Sequence, residues 1–592
     1  MSARVVDIIG RSAEKAARYK IRAPHTHLLP AKINIFPRRP DVEEASRSRL
    51  FVVGAVFATA FLVVSLKLID ASIYAPPHEI HLEPNRAVAS LPTKQQFRAN
   101  IVDRHGELIA SSLPIASLCA RPKLIRDLSA AAFLIAGVLP DTSAAAIQAE
   151  LERGREYVFL KRHITPSQHK ALLALGLPGL CFEREQRRVY PQGPLASHVT
   201  GFTNIDGKGL GGVELEFDDV LRDREDPLAL SIDLRVQRIV REEVQFAIDK
   251  FSAIGGVGLM IDVENGEFLA MVSLPDFDPN NVAAATEDSR RNQATLGTYE
   301  MGSTFKLITA AQALQTGQAE LNSMFDATKP IRVGRFRISD FHPQNRWLSL
   351  EEVLIHSSNI GAAKMAELGG VDQQKAFLNR LGMLKPTSLE LPEIGVPQVP
   401  RRWSETSMRT ISYGYGISVT PVHVATAISG LVNGGILHQP TILKRLNNER
   451  PKGRKVITEN VSSKIRWLMR QVVVNGTGTQ AEAKFYPVGG KTGSAEKRTA
   501  GGTGYDKNSN LVSFVAAFPI QAPRYALLVM VDGPKPRKDT FGYATGGWVA
   551  APAARKIIER AAPVLGITPI GLEATDRPER ILQITKIKAR KS

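Results

Sequence analysis

The chain has 592 residues, 43% of them hydrophobic and 23% charged, with a formal net charge of +18. That balance excludes a disordered or low-complexity chain and suits two or three domains, each able to bury a core. The basic excess does not read as a nucleic-acid surface, because aromatics are only 6% and no lysine run is interleaved with them.

Part of the excess sits at the start, where residues 1–49 carry eleven Lys/Arg against five Asp/Glu. The stretch "LFVVGAVFATAFLVVSL" (50–66) follows without a charge, and, counting Lys67 as able to snorkel, the apolar segment runs to Ile69. Its twenty residues would make a helix about 30 Å long, the thickness of a bilayer core. No polar stripe marks it as a core helix, and it is too long and too far into the chain for a cleaved signal. The expectation is one membrane anchor over 50–69. Arg38, Arg39, Arg47 and Arg49 would keep the N-terminus cytoplasmic and place everything after Asp70 outside. Gly54 and Ala58 have the small-xxx-small spacing of a helix-packing face, with Ser65 further along.

Residues 71–95 are Pro-rich and read as a stalk. "RANIVDRHGELIASS" (98–112) predicts a hairpin about Arg104-His105-Gly106, and 120–180 are Ala/Leu-rich with helical period. The Gly- and Pro-dense 187–221 reads as a loop ending in a helix, and Asp226-Pro227 as a boundary. "GVGLMIDVENGEFLAMVSL" (256–274) predicts two strands joined at Glu264-Asn265-Gly266. Cys119 and Cys181, the two cysteines, exclude a disulfide framework or a cysteine zinc site; they either pair or are two buried apolar residues. The histidines are scattered without ligand spacing, so no metal is expected.

Ser-x-x-Lys occurs four times, at Ser12–Lys15, Ser167–Lys170, Ser303–Lys306 and Ser494–Lys497. The spacing alone therefore proves little. Ser12 lies in the basic tail before the anchor, and Ser167, in "TPSQHKALLALGL", is explained as a helix cap. Ser303 follows Gly302 and opens "STFKLITAAQALQTGQ", a helix pattern that stops near Gly317. There the free amides and the dipole favour a developing oxyanion, and Lys306 lies one turn further on the same face. Two partners single this serine out. Ser357-Ser358-Asn359 is the one Ser-x-Asn in the chain, and Lys491-Thr492-Gly493 the one Lys-Thr-Gly. β-rich runs after Lys491 place that motif on a strand facing a cleft, with Gly493 allowing a peptide backbone to approach; Ser494 then belongs to the strand.

The ordered triple marks serine acyltransferases of the penicillin-binding and β-lactamase type. Residues 98–552 resemble a class B penicillin-binding protein: "RANIVDRHGELIA", "RRVYPQGPLASHVTGF" and "SIDLRVQ" resemble its conserved blocks, as do "GTGTQAEAKFYPVGGKTGSAEK" and "YATGGWVAAP". "SYGYGISVTPVHVA" (412–425), with Tyr415 between glycines, resembles the division-specific FtsI type. Ser494 departs from the family, which has threonine there most often.

The resemblance implies an α/β protein in five parts: a cytoplasmic tail (1–49), a transmembrane helix (50–69), an elongated mixed pedestal (70–227), a transpeptidase domain (228–560) and a basic C-terminal tail (561–592). The transpeptidase domain would be a β-lactamase-like antiparallel sheet flanked by helices, with an all-helical lobe carrying Ser357–Asn359. The implied activity is periplasmic D,D-transpeptidation of stem peptides ending in D-Ala-D-Ala, at the inner membrane during septal wall synthesis, without cofactor or metal. Ser303 would be the nucleophile, Lys306 the base, and Ser357 and Lys491 the proton relay. Asn359, Thr492, Gly493 and Ser494 would bind substrate, and the backbone amides of Ser303 and Ser494 the oxyanion. Implied partners are β-lactams, a companion membrane glycan polymerase and a division complex. A β-lactamase would need no anchor or pedestal, and a two-function enzyme would need a glycosyltransferase domain for which 71–227 is too short. A penicillin-binding sensor or division scaffold would not need the intact Ser303, Lys306, Ser357 and Lys491.

Overall fold

The computed structural model describes residues 54–66 and 97–570, apart from 334–335, 447–450, 452 and 500–503. The expected tail 1–49, the whole stalk 71–95 and the stretch after 570 lie outside the described residues. The chain divides into two units, 1–93 and 94–592. In the first, residues 54–66 of the expected anchor are helical, with Val56, Phe57, Phe61 and Leu62 exposed. Among the described residues no helix is long and apolar enough to cross a membrane.

The second unit starts with the pedestal. β1 (Ile101–Val102) and β2 (Leu108–Ala120) make the expected hairpin, but β2 runs on past residue 112 to become the centre of a sheet. It pairs antiparallel with β3 (Val158–Ile164) and β4 (Leu180–Val189), while β1 pairs parallel with β5 (Leu228–Ala229). The 120–180 stretch holds α1 (Leu128–Val138), α2 (Ala144–Leu151) and α3 (Pro166–Ala174), but β3 interrupts them, correcting the all-helical expectation. Strand β3 is short and pairs only with distant β2, so its period is masked by its helical neighbours. Each helix has its own cap: Asp127 accepts from Ala130 N, Ser143 from Ala146 N, and Thr165 forms a capping box with Gln168. The helix start at 165–167 is as expected, but its cap is Thr165; Ser167 is exposed in the first turn. Cys119 and Cys181 stand directly opposite in the β2–β4 register, with Cα atoms 4.9 Å apart, and form a disulfide.

Beyond the pedestal, α4 (Leu234–Phe251) precedes a five-stranded antiparallel sheet. Its strands are β6 (Gly255–Asp262), β7 (Phe268–Leu274), β8 (Gly489–Arg498), β9 (Tyr505–Phe518) and β10 (Tyr525–Asp532), in the order β8-β9-β10-β6-β7. The hairpin at Glu264–Gly266 is therefore as expected. "YALLVMVD" in β10 reads as one apolar run because both faces are covered: Ala526, Leu528 and Met530 join one core, Leu527, Val529 and Val531 the other. Between β7 and β8 the chain forms a lobe with α5 (Phe305–Gln315), α6 (Leu350–Ile355), α7 (Asn359–Arg380), α8 (Pro421–Val432) and α9 (Glu459–Asn475). Residues of α5 and α8 fill the first core; α4 and α10 (Ala550–Val564) fill the second.

The lobe is not all-helical. Met324–Asp326 pairs with Trp347–Ser349, and Ile331–Val333 with Phe336–Ile338, two ribbons too short to announce themselves in sequence. The pedestal base has no core of its own: Ile101, Tyr190, Val199 and Val213 join the cluster of Leu259, Phe305 and Val515. The Arg104–Glu267 ion pair (3.3 Å) and the Asn280 Nδ2 donation to Tyr190 O (2.9 Å) cross the same seam.

Candidate active site

Ser303 sits in a 3₁₀ turn, Gly302–Thr304, that leads directly into α5. Thr304 Oγ1 donates to Met301 O at 2.9 Å and pins this turn. Gly302 has φ +55°, and a Cβ there would lie 2.7 Å from Ser494 O on β8. Glycine thus allows both the left-handed backbone and the close approach of the Ser303 turn to the strand. Gly493 also serves this seating: its missing Cβ would lie 2.4 Å from Ser513 Oγ and 2.9 Å from Met301 O. The space expected to admit a substrate backbone at that Cβ is filled by the protein's own turn.

Lys306, in the first turn of α5, is buried, and its Nζ donates to Ser303 Oγ at 2.9 Å. The same nitrogen reaches Ser357 O at 2.5 Å and Ser357 Oγ at 3.1 Å. Lys491 on β8, also buried, donates to Ser357 Oγ at 2.9 Å from the other side. Ser303, Lys306, Ser357 and Lys491 therefore form one continuous hydrogen-bonded row drawn from three separate segments.

Two buried ammonium groups in one cleft are costly, and the proton affinities respond. Burial first, and then the neighbouring Lys491 charge, hold Lys306 well below an ordinary lysine, with Asp340 pulling the other way. Burial lowers Lys491 to about 7. A neutral Lys306 amine beside a serine hydroxyl can take its proton.

The remaining expected residues spread around this row. Asn359 donates its Nδ2 to Ser339 O at 2.9 Å. Thr492 is buried, with its hydroxyl 2.6 Å from Thr477 Oγ1, whereas Ser494 is exposed and accepts Gly546 N–H at 3.1 Å. Lys497, the lysine of the decoy pair with Ser494, is bound to Asp532 at 2.9 Å. Tyr415 accepts the Glu496 N–H at 3.1 Å, joining the 412–416 loop to β8.

Two carboxylates here went unnoticed in the sequence. Glu300 is buried just before the Ser303 turn, and its Oε1 accepts from Gly416 N (2.8 Å) and Arg498 Nε (3.0 Å). Asp340 is buried against the Ser357–Asn359 turn. Neither has a motif or period around it, since both act on segments remote in sequence. Among the described residues no three His, Cys, Asp or Glu side chains group to hold a metal ion.

Comparison with known proteins shows the family to which the chain belongs. Residues 256–559 match the penicillin binding protein transpeptidase domain, and residues 93–242 match the penicillin-binding protein dimerisation domain. The chain is 38% identical over 536 residues to the probable peptidoglycan D,D-transpeptidase FtsI of Caulobacter vibrioides, covering 89% of this chain and 90% of that one. It is 31% identical to the peptidoglycan D,D-transpeptidase FtsI of Escherichia coli K12, covering 82% and 86%. The fold is similar to that of penicillin-binding protein 3 of Mycobacterium tuberculosis, solved with aztreonam, with a TM-score of 0.64, 22% identity, and 81% and 98% of the two chains covered. The chain belongs to the class B penicillin-binding proteins of the FtsI type.

Proposed function

We propose that the protein is a serine D,D-transpeptidase of peptidoglycan that cross-links stem peptides during septal wall synthesis. The observation that carries this reading is the row Ser303–Lys306–Ser357–Lys491, in which each group lies within 3.1 Å of the next. Ser303 Oγ attacks the penultimate carbonyl of a D-Ala-D-Ala stem as its proton passes to neutral Lys306. The tetrahedral oxyanion rests on the backbone amides of Ser303 and Ser494, a role supported by the close approach of Gly302 to Ser494. Ser357 and Lys491 relay the proton to the departing nitrogen, so D-alanine leaves as a neutral amine with its carboxylate intact and the acyl ester remains on Ser303. An amine from a second stem then takes the acyl group and restores the hydroxyl.

Asn359 holds the substrate peptide. Exposed Ser494 takes its carboxylate, with Thr492 supporting from the buried side through Thr477. Ser494 keeps the hydroxyl of the family's usual threonine, and its missing methyl alters inhibitor fit. β-Lactams acylate the same serine.

Residues 50–69 anchor the chain in the inner membrane, N-terminus in the cytoplasm, and hold the catalytic domain in the periplasm. This is supported by the charge-free run 50–66, which Lys67 extends to Ile69 if its ammonium reaches the interface, and by the exposed apolar side chains of the helical 54–66. The proposed domains are 1–49, 50–69, 70–227, 228–560 and 561–592, with the limits moved a few residues by two elements: β5 (Leu228–Ala229) pairs with the pedestal strand β1, and α10 carries the transpeptidase core on to Val564. A companion membrane polymerase supplies glycan strands and meets the anchor on the Gly54–Ala58 face within a division complex.

Labelling with a fluorescent penicillin tests the reading. Ser303→Ala should abolish the adduct, while Ser167→Ala and Ser494→Ala keep it. An acyl group found by mass spectrometry on another serine would refute the assignment. Stoichiometric acylation without turnover of a stem peptide would favour a sensor instead.

A further inference from the structure

A pocket of about 340 Å³ lies where the pedestal meets the catalytic domain, and no member of the Ser303 row lines it. Its wall takes His163 from the end of β3, Arg187 and Arg188 from β4, Asn204 from the loop that follows, and Asn280 from the segment after β7.

The first sign of a site is strain. His163 has a left-handed backbone, φ +57°, held by its N–H donating to Ser117 Oγ at 3.0 Å. A side chain kept in that region costs about 1–2 kcal/mol, and such residues gather at binding sites. The second sign is a pair of buried nitrogens in the same wall, His163 Nε2 and Arg188 Nη2, with no hydrogen-bond partner among the described residues. The rest of the Arg188 guanidinium is engaged: Nε donates to Glu214 Oε1 at 2.7 Å and Nη1 to Ala99 O at 2.8 Å. Burial, first of all, holds His163 below the ordinary histidine range, so its ring is neutral at neutral pH and in one tautomer offers Nε2–H as a donor. Buried donors without an acceptor are costly, and a ligand oxygen would satisfy both.

The third sign is charge. No carboxylate lines the pocket, and the acidic groups around it already have cations. Glu185 and Asp206 each accept from Arg162 at 2.7 Å, and Glu214 pairs with Arg98 and Arg188. Arg187 is exposed, makes no ion pair among the described residues, and its charge is felt at His163. The surplus is therefore cationic.

We propose that this pocket is a second binding site for a peptidoglycan stem, taking the carboxylate of its terminal D-alanine on Arg187, Arg188 Nη2 and His163 Nε2. A guanidinium fork matches a planar carboxylate. Asn204 Oδ1 is used by the amides of Asp206 and Lys208, which leaves its Nδ2 for the adjoining peptide carbonyl. Small-ligand pockets run from roughly 300 to 1,000 Å³, so this one suits a terminal dipeptide and not a glycan strand. Held there, an uncross-linked stem would fasten the enzyme to the wall at a point separate from the cleft.

The inference rests on the transpeptidase reading for its ligand, and the Ser303→Ala labelling tests that reading separately. The experiment uses the full detergent-solubilised chain, first acylated with penicillin so that the cleft is closed, and titrates it with N-acetyl-D-Ala-D-Ala by calorimetry. The peptide should bind the acylated chain, and its C-terminal amide, which lacks the carboxylate, should bind at least about ten-fold more weakly. Arg187→Ala and His163→Asn, the latter tolerant of a left-handed backbone, should each weaken the peptide roughly ten-fold. Arg126→Ala, an exposed arginine outside the pocket, should bind as wild type. D-Alanine and acetate separate a stem from a free carboxylate: both should bind more weakly than the peptide. Should His163→Asn fail to fold in a melting curve, Arg187→Ala and the amide peptide decide. An adduct on Ser303 with no binding to the acylated chain overturns this inference alone. Equal binding of the amide or of acetate, or an unchanged affinity in Arg187→Ala, overturns it as well.

Discussion

In the outer pedestal, β2 lies against β4 through ten consecutive register pairs, from Ser111–Val189 to Ala120–Leu180, with the Cys119–Cys181 bond near the end. Its core is a small cluster that includes Leu118, Ile135, Ile147 and Leu172. Around Ser303 there is no such ladder between the functional groups. Lys306 and Ser357 are 51 residues apart and Ser357 and Lys491 are 134 apart, yet they meet within 3.1 Å. The first region is ordered by repetition of one local rule and one covalent link. The second is ordered by burying polar groups that must each find a partner, because an unpaired buried amine or hydroxyl is costly. The pedestal should therefore lose stability in graded steps, whereas the cleft should lose function abruptly.

The sharpest test of that contrast is Lys306→Arg. A guanidinium stays protonated and cannot act as base, so the acylation rate should fall by roughly 10³-fold with the pedestal's melting unchanged. Stopped-flow penicillin binding measures it. Retained acylation would move the base role to Ser357 and break the account of the cleft.

Next in size is the double change Cys119→Ser with Cys181→Ser. The bond closes a 62-residue separation, and chain entropy gives it about 4 kcal/mol of local stabilisation. Amide exchange in β2 and β4 should speed up accordingly while penicillin acylation keeps its rate. A parallel fall in acylation would show that the outer pedestal and the cleft are coupled through the shared base.

The smallest effect is expected from Thr165→Ala, which removes the capping box of α3. About 1 kcal/mol should be lost, visible as faster exchange in the first turn of that helix alone. Loss of exchange protection across the whole β2–β4 ladder would mean that the pedestal unfolds as one cooperative piece and not in steps.

How far this molecule could be read from its residues differs between the same two regions. In the catalytic domain, the three motifs were legible because each requires particular residue types at short range: Ser303 with Lys306 on one helical turn, the serine and asparagine of 357–359, and Lys491-Thr492-Gly493 on a strand. The β6–β7 hairpin was equally legible from Glu264-Asn265-Gly266. In the pedestal, β3 was hidden, since its seven residues sit among helices and pair only with distant β2. The state of the two cysteines was also open until register set them opposite one another.

The sequence by itself carried the acyl-transfer reading, the expectation of Ser303 over three look-alikes, the apolar run before the pedestal, and the positions of the helix after Ser303, the β6–β7 hairpin and the Lys491 strand, because each of those signals is spaced within one turn, hairpin or strand. Tertiary structure alone decided that one hydroxyl, Ser357, links the two lysines, and that it does so from a left-handed turn with Asp340 behind it. It also decided that a Cβ at Gly493 would meet Met301 O in the turn that carries Ser303. Those arrangements depend on which distant segments exclude water together, and that is a property of the packed core, not of any short stretch of chain.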